Sequence, residues 1–265
     1  MYPELAGKVA VVTGAGRRGG LGAAMAMRLA SEGVRVVVAD VGSNAEMHEV
    51  VADIVATGAQ AQALPCDMLD GDAVEALFAR TEAAFGDVDI LVNNAGVGYL
   101  MKPILEMSAA EWDTVLGVNL RGVFLATQAA ARRMVAKGQG GRIVNIASQA
   151  AKSGFPHAAA YCSSKHGLVG LTRVAAIEFA QHAITVNAIC PNHVTTGLGA
   201  WQNEYFAKLL GKSVEQYLAD MRARIPLGRP GLPSDTAAAC AFLCSDQAQY
   251  ITGEAMNVSG GEEVH

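Results

Sequence analysis

Basic charge is scarce in this 265-residue chain: 20 Lys and Arg against 25 Asp and Glu leave a formal net charge of −5. With the cationic residues scattered and a pI near 5.7, there is no positive field for a polyanion, which argues against nucleic-acid binding. Apolar runs stay short of the roughly 18 residues that cross a membrane. The opening MYPELAGK lacks the long apolar segment of a signal peptide, so a cytoplasmic protein with no membrane partner is expected. Disulfide and zinc frameworks are disfavoured too. The five cysteines (Cys66, Cys162, Cys190, Cys240, Cys244) are odd in number and form no C-x-x-C pair, a pattern of reduced thiols, most of them core filler. Charged residues make up only 17% of the chain and apolar residues 51%, which excludes disorder as the main state. Part of that apolar surplus suits a subunit interface. Linkers, low-complexity tracts and internal repeats are also absent, and the length accommodates one domain over residues 1–265 with a core on both sides of a sheet.

What is present is alternation. Short β-branched runs at Lys8–Thr13, Val34–Asp40, Gln60–Leu64, Val88–Val92, Gly141–Ala147, Ile184–Cys190 and Ala255–Val258 read as strands. Between them, Leu21–Glu32, Ala45–Thr57, Asp70–Phe85, Ala109–Ala136, Ala158–Gln181 and Ser234–Cys244 carry helical apolar periodicity. Strands alternating with helices require parallel pairing through right-handed crossovers. The expected fold class is therefore α/β: a Rossmann-like, doubly wound, seven-stranded parallel sheet with helices on both faces. Runs such as VAVVT are apolar throughout, as a sheet covered on both sides demands. One segment, Thr196–Pro230, is too long for an ordinary αβ connection and reads as a lid over about residues 196–230.

Two constellations carry chemistry. Gly14, Gly16 and Gly19 form a G-x-G-x-x-G turn after the first strand, where backbone N–H groups and a helix N-terminus can meet a diphosphate. Asp40 ends the second strand, 21 residues beyond Gly19, where a carboxylate would accept the ribose hydroxyls of NAD and repel the 2′-phosphate of NADP. The second is Tyr161 and Lys165, one helical turn apart, with Ser148 upstream. Residues at i and i+4 share a helix face, and a nearby ammonium can lower a phenol's pKa by about one to three units. That outlines a proton-transfer site.

A series of ordered motifs makes the chain resemble the short-chain dehydrogenase/reductase family, nearly end to end. They are the glycine turn, Asn93-Asn94-Ala95-Gly96 after the fourth strand, Asn119 in VNLRGVF, Ser148 ending IVNIAS, Tyr161-x-x-x-Lys165, and the VNAICP and YITGEAMNVSGG signatures. The resemblance implies hydride transfer between a secondary alcohol or ketone and a nicotinamide cofactor. Tyr161 would exchange the proton, Ser148 would hold the substrate oxygen, Lys165 would lower the Tyr161 pKa and bond the nicotinamide ribose, and Asn119 would hold a water linking Lys165 to solvent. It also implies cofactor contacts at Gly14, Gly20, Leu21 and Gly22, with Ala23 and Ala26 packing closely behind. Asp67 and Met68 would meet the adenine, Asn93, Asn94, Ala95 and Gly96 the adenosine side, and Pro191, Val194 and Thr196 the carboxamide end. A homotetramer, assembled through the long helices, is a further implication.

Two departures from the family pattern matter. Gly14 and Gly20 enclose five residues where the family usually has three, so about two extra residues, including Arg17 or Arg18, occupy the phosphate turn. These arginines could meet a 2′-phosphate, but exposed arginines swing to solvent at little cost, and Asp40 weighs more for NAD. Pro191-Asn192-His193 replaces the usual Pro-Gly, which makes His193, like His157 in the loop before Tyr161, a substrate-pocket candidate. In the lid, Leu198, Trp201, Tyr205, Phe206, Leu209 and Leu210 recur at helical spacing. If this stripe faces the cleft, the substrate is a mid-sized apolar or cyclic alcohol or ketone, and Trp201 should discriminate bulky substrates. The alternatives are an NADP-dependent 3-oxoacyl-thioester or carbonyl reductase, and a non-catalytic dinucleotide sensor, which would tolerate loss of the active-site residues present here.

Overall fold

The computed structural model describes residues 1–42, 44–98 and 100–265. Seven strands are formed by Val9–Thr13 (β1), Arg35–Asp40 (β2), Ala61–Pro65 (β3), Ile90–Asn93 (β4), Gly141–Ile146 (β5), Ile184–Pro191 (β6) and Ala255–Val258 (β7). All are parallel, in the order β3-β2-β1-β4-β5-β6-β7. The helices are Leu21–Ser31 (α1), Ala45–Ala56 (α2), Gly71–Phe85 (α3), Ala109–Leu116 (α4), Val123–Lys137 (α5), Ala159–Phe179 (α6), Gly197–Leu209 (α7), Val214–Arg224 (α8) and Pro233–Cys244 (α9).

Side chains alternate across each strand, and both faces are apolar. Ala10, Val12, Val36 and Val38 pack with Leu29 of α1, Ile54 of α2 and Ala241 of α9. Their neighbours Val11, Val37 and Leu91 pack on the opposite face with Phe78 of α3, Met134 of α5 and Ala175 of α6. Fully buried β1 has the burial that VAVVT calls for. Strand order reverses between β1 and β4, the place where doubly wound sheets open a crevice for ligands at the carboxyl ends of their strands.

One element departs from its sequence pattern. The span Ala109–Ala136 reads as a single helix, but a π-helical turn at Gly117–Gly122 separates α4 from α5. Here the chain presses on the loop after β3: a Cβ on Gly117 would lie 2.8 Å from Leu69 Cδ2, and one on Gly122 2.9 Å from the Met68 carbonyl oxygen. Arg121 donates to the Leu69 carbonyl at 2.9 Å and adds to the attachment. Such widened turns recur at functional sites because they displace a residue from the α-helical ladder; in this one, the buried residues are Asn119 and Gly122.

Candidate active site

The glycine turn, the Asn94–Gly96 loop, the π turn, α6 and the segment after β6 meet at the crevice. Gly14 has φ +62°, and its missing Cβ would lie 2.6 Å from Ala95 Cα; that of Gly22 would lie 2.4 Å from the Gly14 carbonyl oxygen. Only glycine permits this approach of the turn to β4 and to its own helix. Asn94 locks the arrangement by donating from Nδ2 to the carbonyls of Thr13 (3.0 Å) and Gly14 (2.7 Å). At the start of α1, Gly20 supplies no side-chain cap to the first-turn N–H groups, and Gly19, at φ +70°, has open space around it. A helix N-terminus with uncapped donors and no side chain in front fits the diphosphate of a dinucleotide.

Asp40 faces this turn. Its Oδ2 accepts from Gly16 N–H at 2.7 Å and its Oδ1 from Val41 N–H at 2.8 Å. The two arginines of the turn diverge. Arg18 pairs with Glu49 (3.4 Å) and Asp53 (2.7 Å) of α2, whereas Arg17 Nη1 lies 3.6 Å from where a Cβ on Gly197 would stand, at the start of α7.

Two expectations for the adenosine side change. Asn93 does not line the cleft: its position on β4 turns it into the helix-covered face, where Nδ2 donates to Thr127 Oγ1 (3.1 Å) and Asn145 Oδ1 (2.9 Å). Asn145 continues the chain to Thr172 Oγ1 at 2.9 Å. The buried Met68 side chain packs against Gly122 and belongs to the core, so contact with a cofactor would come from its main chain. Asp67 is exposed and accepts from Leu69 N–H at 2.9 Å.

The candidate proton-transfer residues gather around the π turn. Gly167 of α6 would place a Cβ 2.8 Å from Leu120 Cδ2, so α6 comes close enough for Ser164 Oγ to accept from Asn119 Nδ2 at 3.1 Å. Asn119 Nδ2 also donates to the Val97 carbonyl (2.9 Å), and its Oδ1 accepts from Val97 N–H (2.7 Å). The amide thus clamps the Val97 loop and α6, and both its N–H donors are used, a tighter role than the expected water holder. Gly96 lies between: a Cβ there would be 3.3 Å from Asn119 Oδ1 and 3.7 Å from Lys165 Nζ. Lys165 is buried, donates to the Ile146 carbonyl at 2.8 Å, and has its ammonium 5.8 Å from the Tyr161 ring centroid.

Ser148 follows β5, accepts from Ala150 N–H at 3.1 Å and bonds the Tyr161 hydroxyl. Burial pushes the Tyr161 phenol above its ordinary value, and the Ser148 bond only partly opposes it. The expectation that Lys165 sets a lowered Tyr161 pKa is therefore corrected. In this cleft the loss of solvent outweighs other influences, because burial disfavours whichever form is charged. The same cause lowers Lys165 to about 8.

Above these residues lies a cavity of about 730 Å³, walled by Leu21, Ser148, Tyr161, Pro191, Val194 and Thr196 at one end and by the 196–230 segment at the other. This segment, expected from the sequence to be a lid, consists of α7, capped by Thr196 Oγ1 accepting from Gly199 N–H (3.1 Å), and α8, opened by a Ser213–Gln216 capping box. Its apolar stripe divides. Leu198, Phe206, Leu209 and Leu210 line the cavity, whereas Trp201 stacks on Tyr205 with centroids 5.5 Å apart. Tyr205 in turn bonds His157 Nδ1 at 2.7 Å and donates to the Met101 carbonyl at 3.3 Å. Trp201, Tyr205 and His157 thus anchor α7 from outside the cavity, a correction for His157 as a pocket residue and for Trp201 as the discriminating aromatic.

His193 does line the cavity, at φ +42°. Its Nε2 is 3.2 Å from Glu262 Oε2, and the same carboxylate accepts from Asn192 Nδ2 (2.7 Å) and Arg224 Nε (3.1 Å). Burial lowers the His193 pKa, against the pull of Glu262. Sequence reading missed Glu262, Arg224 and Tyr217 as cavity residues, because they come from the C-terminal tail and α8 and carry no motif.

The family model described as Enoyl-(Acyl carrier protein) reductase matches residues 14–263. A short-chain dehydrogenase/reductase of Armillaria gallica is 39% identical over 256 residues, 96% of this chain and 95% of that protein. The 3beta-hydroxysteroid dehydrogenase 1 of Eggerthella lenta is 40% identical over 261 residues, with 98% and 95% covered. Among solved structures, an actinorhodin polyketide ketoreductase variant crystallised with NADPH superposes with a TM-score of 0.92 at 38% identity, over 97% of this chain and 98% of that one.

Proposed function

The chain belongs to the short-chain dehydrogenase/reductase family and is an oxidoreductase of alcohols and ketones; on that footing we propose that it is an NAD-dependent dehydrogenase of mid-sized, largely apolar secondary alcohols. In this reading a single domain carries cofactor site, catalytic site and lid. When bound, the nicotinamide supplies the hydride acceptor for oxidation and the donor for reduction.

The protein's own residues handle the proton. Tyr161 gives a proton to a ketone oxygen or takes one from an alcohol, and its burial keeps the phenol protonated and ready as an acid near neutral pH. Ser148, bonded to the same hydroxyl, holds the substrate oxygen and stabilises charge developing there. Lys165 supplies positive charge behind Tyr161, and Asn119 keeps the floor of the site in register through Val97 and Ser164.

The observation that carries the cofactor choice is Asp40. Two backbone N–H groups hold its carboxylate at the end of β2, where the 2′-phosphate of NADP would meet like charge. Arg18, the cation nearest α2, is already neutralised by Glu49 and Asp53. The solved neighbour was crystallised with NADPH, so the choice for this chain rests on its own residues. A panel of secondary alcohols followed by reduced-nicotinamide absorbance should give a kcat/KM at least about tenfold higher with NAD than with NADP, as one charge repulsion of this size implies. A higher value with NADP would reject the assignment.

Apolar walls support the substrate class. Phe155 and Phe206 meet edge to face with centroids 5.7 Å apart, and Phe206 stacks on Tyr217 at 6.5 Å. Removing a buried aromatic surface from a ligand pocket weakens binding of whatever fills it. Phe206→Ala is expected to raise KM about tenfold for cyclic alcohols and little for propan-2-ol, while Trp201→Ala leaves the ratio between them unchanged. The opposite pattern would move the pocket to the other side of α7.

A homotetramer is part of the proposal, supported by exposed Phe124 on α5 and Val174 and Ile177 on α6, apolar side chains that a partner would cover. Cytoplasmic residence fits the unpaired cysteines. Among the described residues no helix is long and apolar enough to cross a membrane.

A further inference from the structure

We propose that Arg17 is a clasp that closes over the cofactor's diphosphate and ties the phosphate turn to the lid, a role that rests on the dinucleotide reading above. It comes from the insertion between Gly14 and Gly20, and the structure separates it from its neighbour. Arg18 is bound on the α2 side by Glu49 and Asp53, with its own N–H donating to Glu46 Oε1 at 2.9 Å. Arg17 is exposed, and among the described residues its guanidinium has no ion pair or hydrogen bond. It points the other way, across the crevice: Nη1 lies alongside Gly197, the first residue of α7.

Three features make that position meaningful. The Arg17 carbonyl accepts from Gly20 N–H at 3.1 Å, so the main chain that carries this side chain is tied to the N-cap of α1. Gly20 gives the first turn of α1 no side-chain cap, leaving its donors for an anion. Thr196 and Leu21, which flank the two helix starts, both line the main cavity. An anion on the α1 N-terminus would therefore lie between that helix and α7, with the unpartnered guanidinium beside it. Arginine's planar fork suits two phosphate oxygens at once. The ligand moiety is a diphosphate ester rather than a 2′-phosphate, because the ribose side of the turn is held by Asp40 and a paired Arg18. Bridging turn and lid, the clasp couples occupancy of the cofactor site to order in α7.

The test is direct binding, read by NADH and NADPH fluorescence titration and by competition with ADP-ribose and with adenosine. Arg17→Ala should weaken NADH, NADPH and ADP-ribose alike by about tenfold or more, the scale of a charged hydrogen bond, and leave adenosine unchanged. Arg17→Lys should recover part of the loss, and Arg18→Ala should leave NADH within about twofold. Saturating NADH should protect residues 196–230 from limited proteolysis in the wild type and protect them less in Arg17→Ala. ADP-ribose affinity equal to wild type, or a loss confined to NADPH, would overturn the clasp; so would equal protection of the lid. A wild-type preference for NADP would defeat the Asp40 reading alone, since both dinucleotides carry the same diphosphate.

Discussion

Tyr161→Phe is expected to lower kcat by about 10²–10⁴-fold, the usual contribution of a positioned acid or base, while NADH affinity stays within a few-fold. The substitution removes one oxygen from a side chain whose hydroxyl bonds Ser148 and leaves the ring packed as before. Because burial raises the phenol's pKa, the wild type's two directions should respond to pH with opposite signs. Ketone reduction needs the protonated form, so it holds at neutral pH and declines as the solution becomes basic. Alcohol oxidation needs the proton to leave, so it rises with pH over the same range. In the phenylalanine variant both dependences should flatten. Steady-state kcat in each direction between pH 6 and 10 measures this, and an unaltered rate in the variant would remove Tyr161 from the chemistry.

Lys165→Met should cost roughly 10²-fold in kcat by removing the cation behind Tyr161, and it should also change how stability depends on pH. The buried ammonium has a folded-state pKa of about 8 against a reference of 10.5. Between those values the unfolded chain binds more protons than the folded one, so the wild type gains stability as pH rises through the window. The methionine variant has no such group. The wild-type advantage over it should therefore grow from pH 7 to pH 10 by up to about 3 kcal/mol. Urea unfolding of both proteins at the two pH values reads the difference, and a constant gap would mean that Lys165 is not held in the desolvated site described here. Loss of the bond from Nζ to the Ile146 carbonyl affects the variant at every pH and does not alter the slope.

Much of the fold is legible along the chain because a sheet covered on both faces leaves a clear record: four- to eight-residue strands that are mostly apolar, separated by helix-length periodicity. The break between α4 and α5 leaves no such record. Gly117 and Gly122 fit a helical pattern, and the reason for the π turn lies about fifty residues earlier, where Met68 and Leu69 press against it. Candidate catalytic residues were likewise readable where spacing carries them, as in Tyr161 and Lys165 one turn apart. Their charge states were not. Sequence placed an ammonium near a phenol and implied a lowered pKa, yet the cleft is closed enough that desolvation governs both groups.

The lid and the phosphate turn show the same division more sharply. Six apolar residues at helical spacing identified α7 as amphipathic, but a helix in a lid has two partners, and the sequence does not say which face meets which. Packing puts Phe206 toward the cavity and Trp201 with Tyr205 and His157 on the outside. Arg17 and Arg18 are adjacent and chemically identical, and one turns to the acids of α2 while the other turns to Gly197. By itself, then, the sequence determined the sheet, the order of its motifs, the family and the candidate proton-transfer pair, because these depend on local periodicity and fixed spacing. Tertiary structure decided the direction of each arginine, the split of the lid stripe, the clamp at Asn119 and the entry of Glu262 into the cavity wall. Those depend on contacts between segments far apart in the chain, where closeness in space and exclusion of water set the energetics.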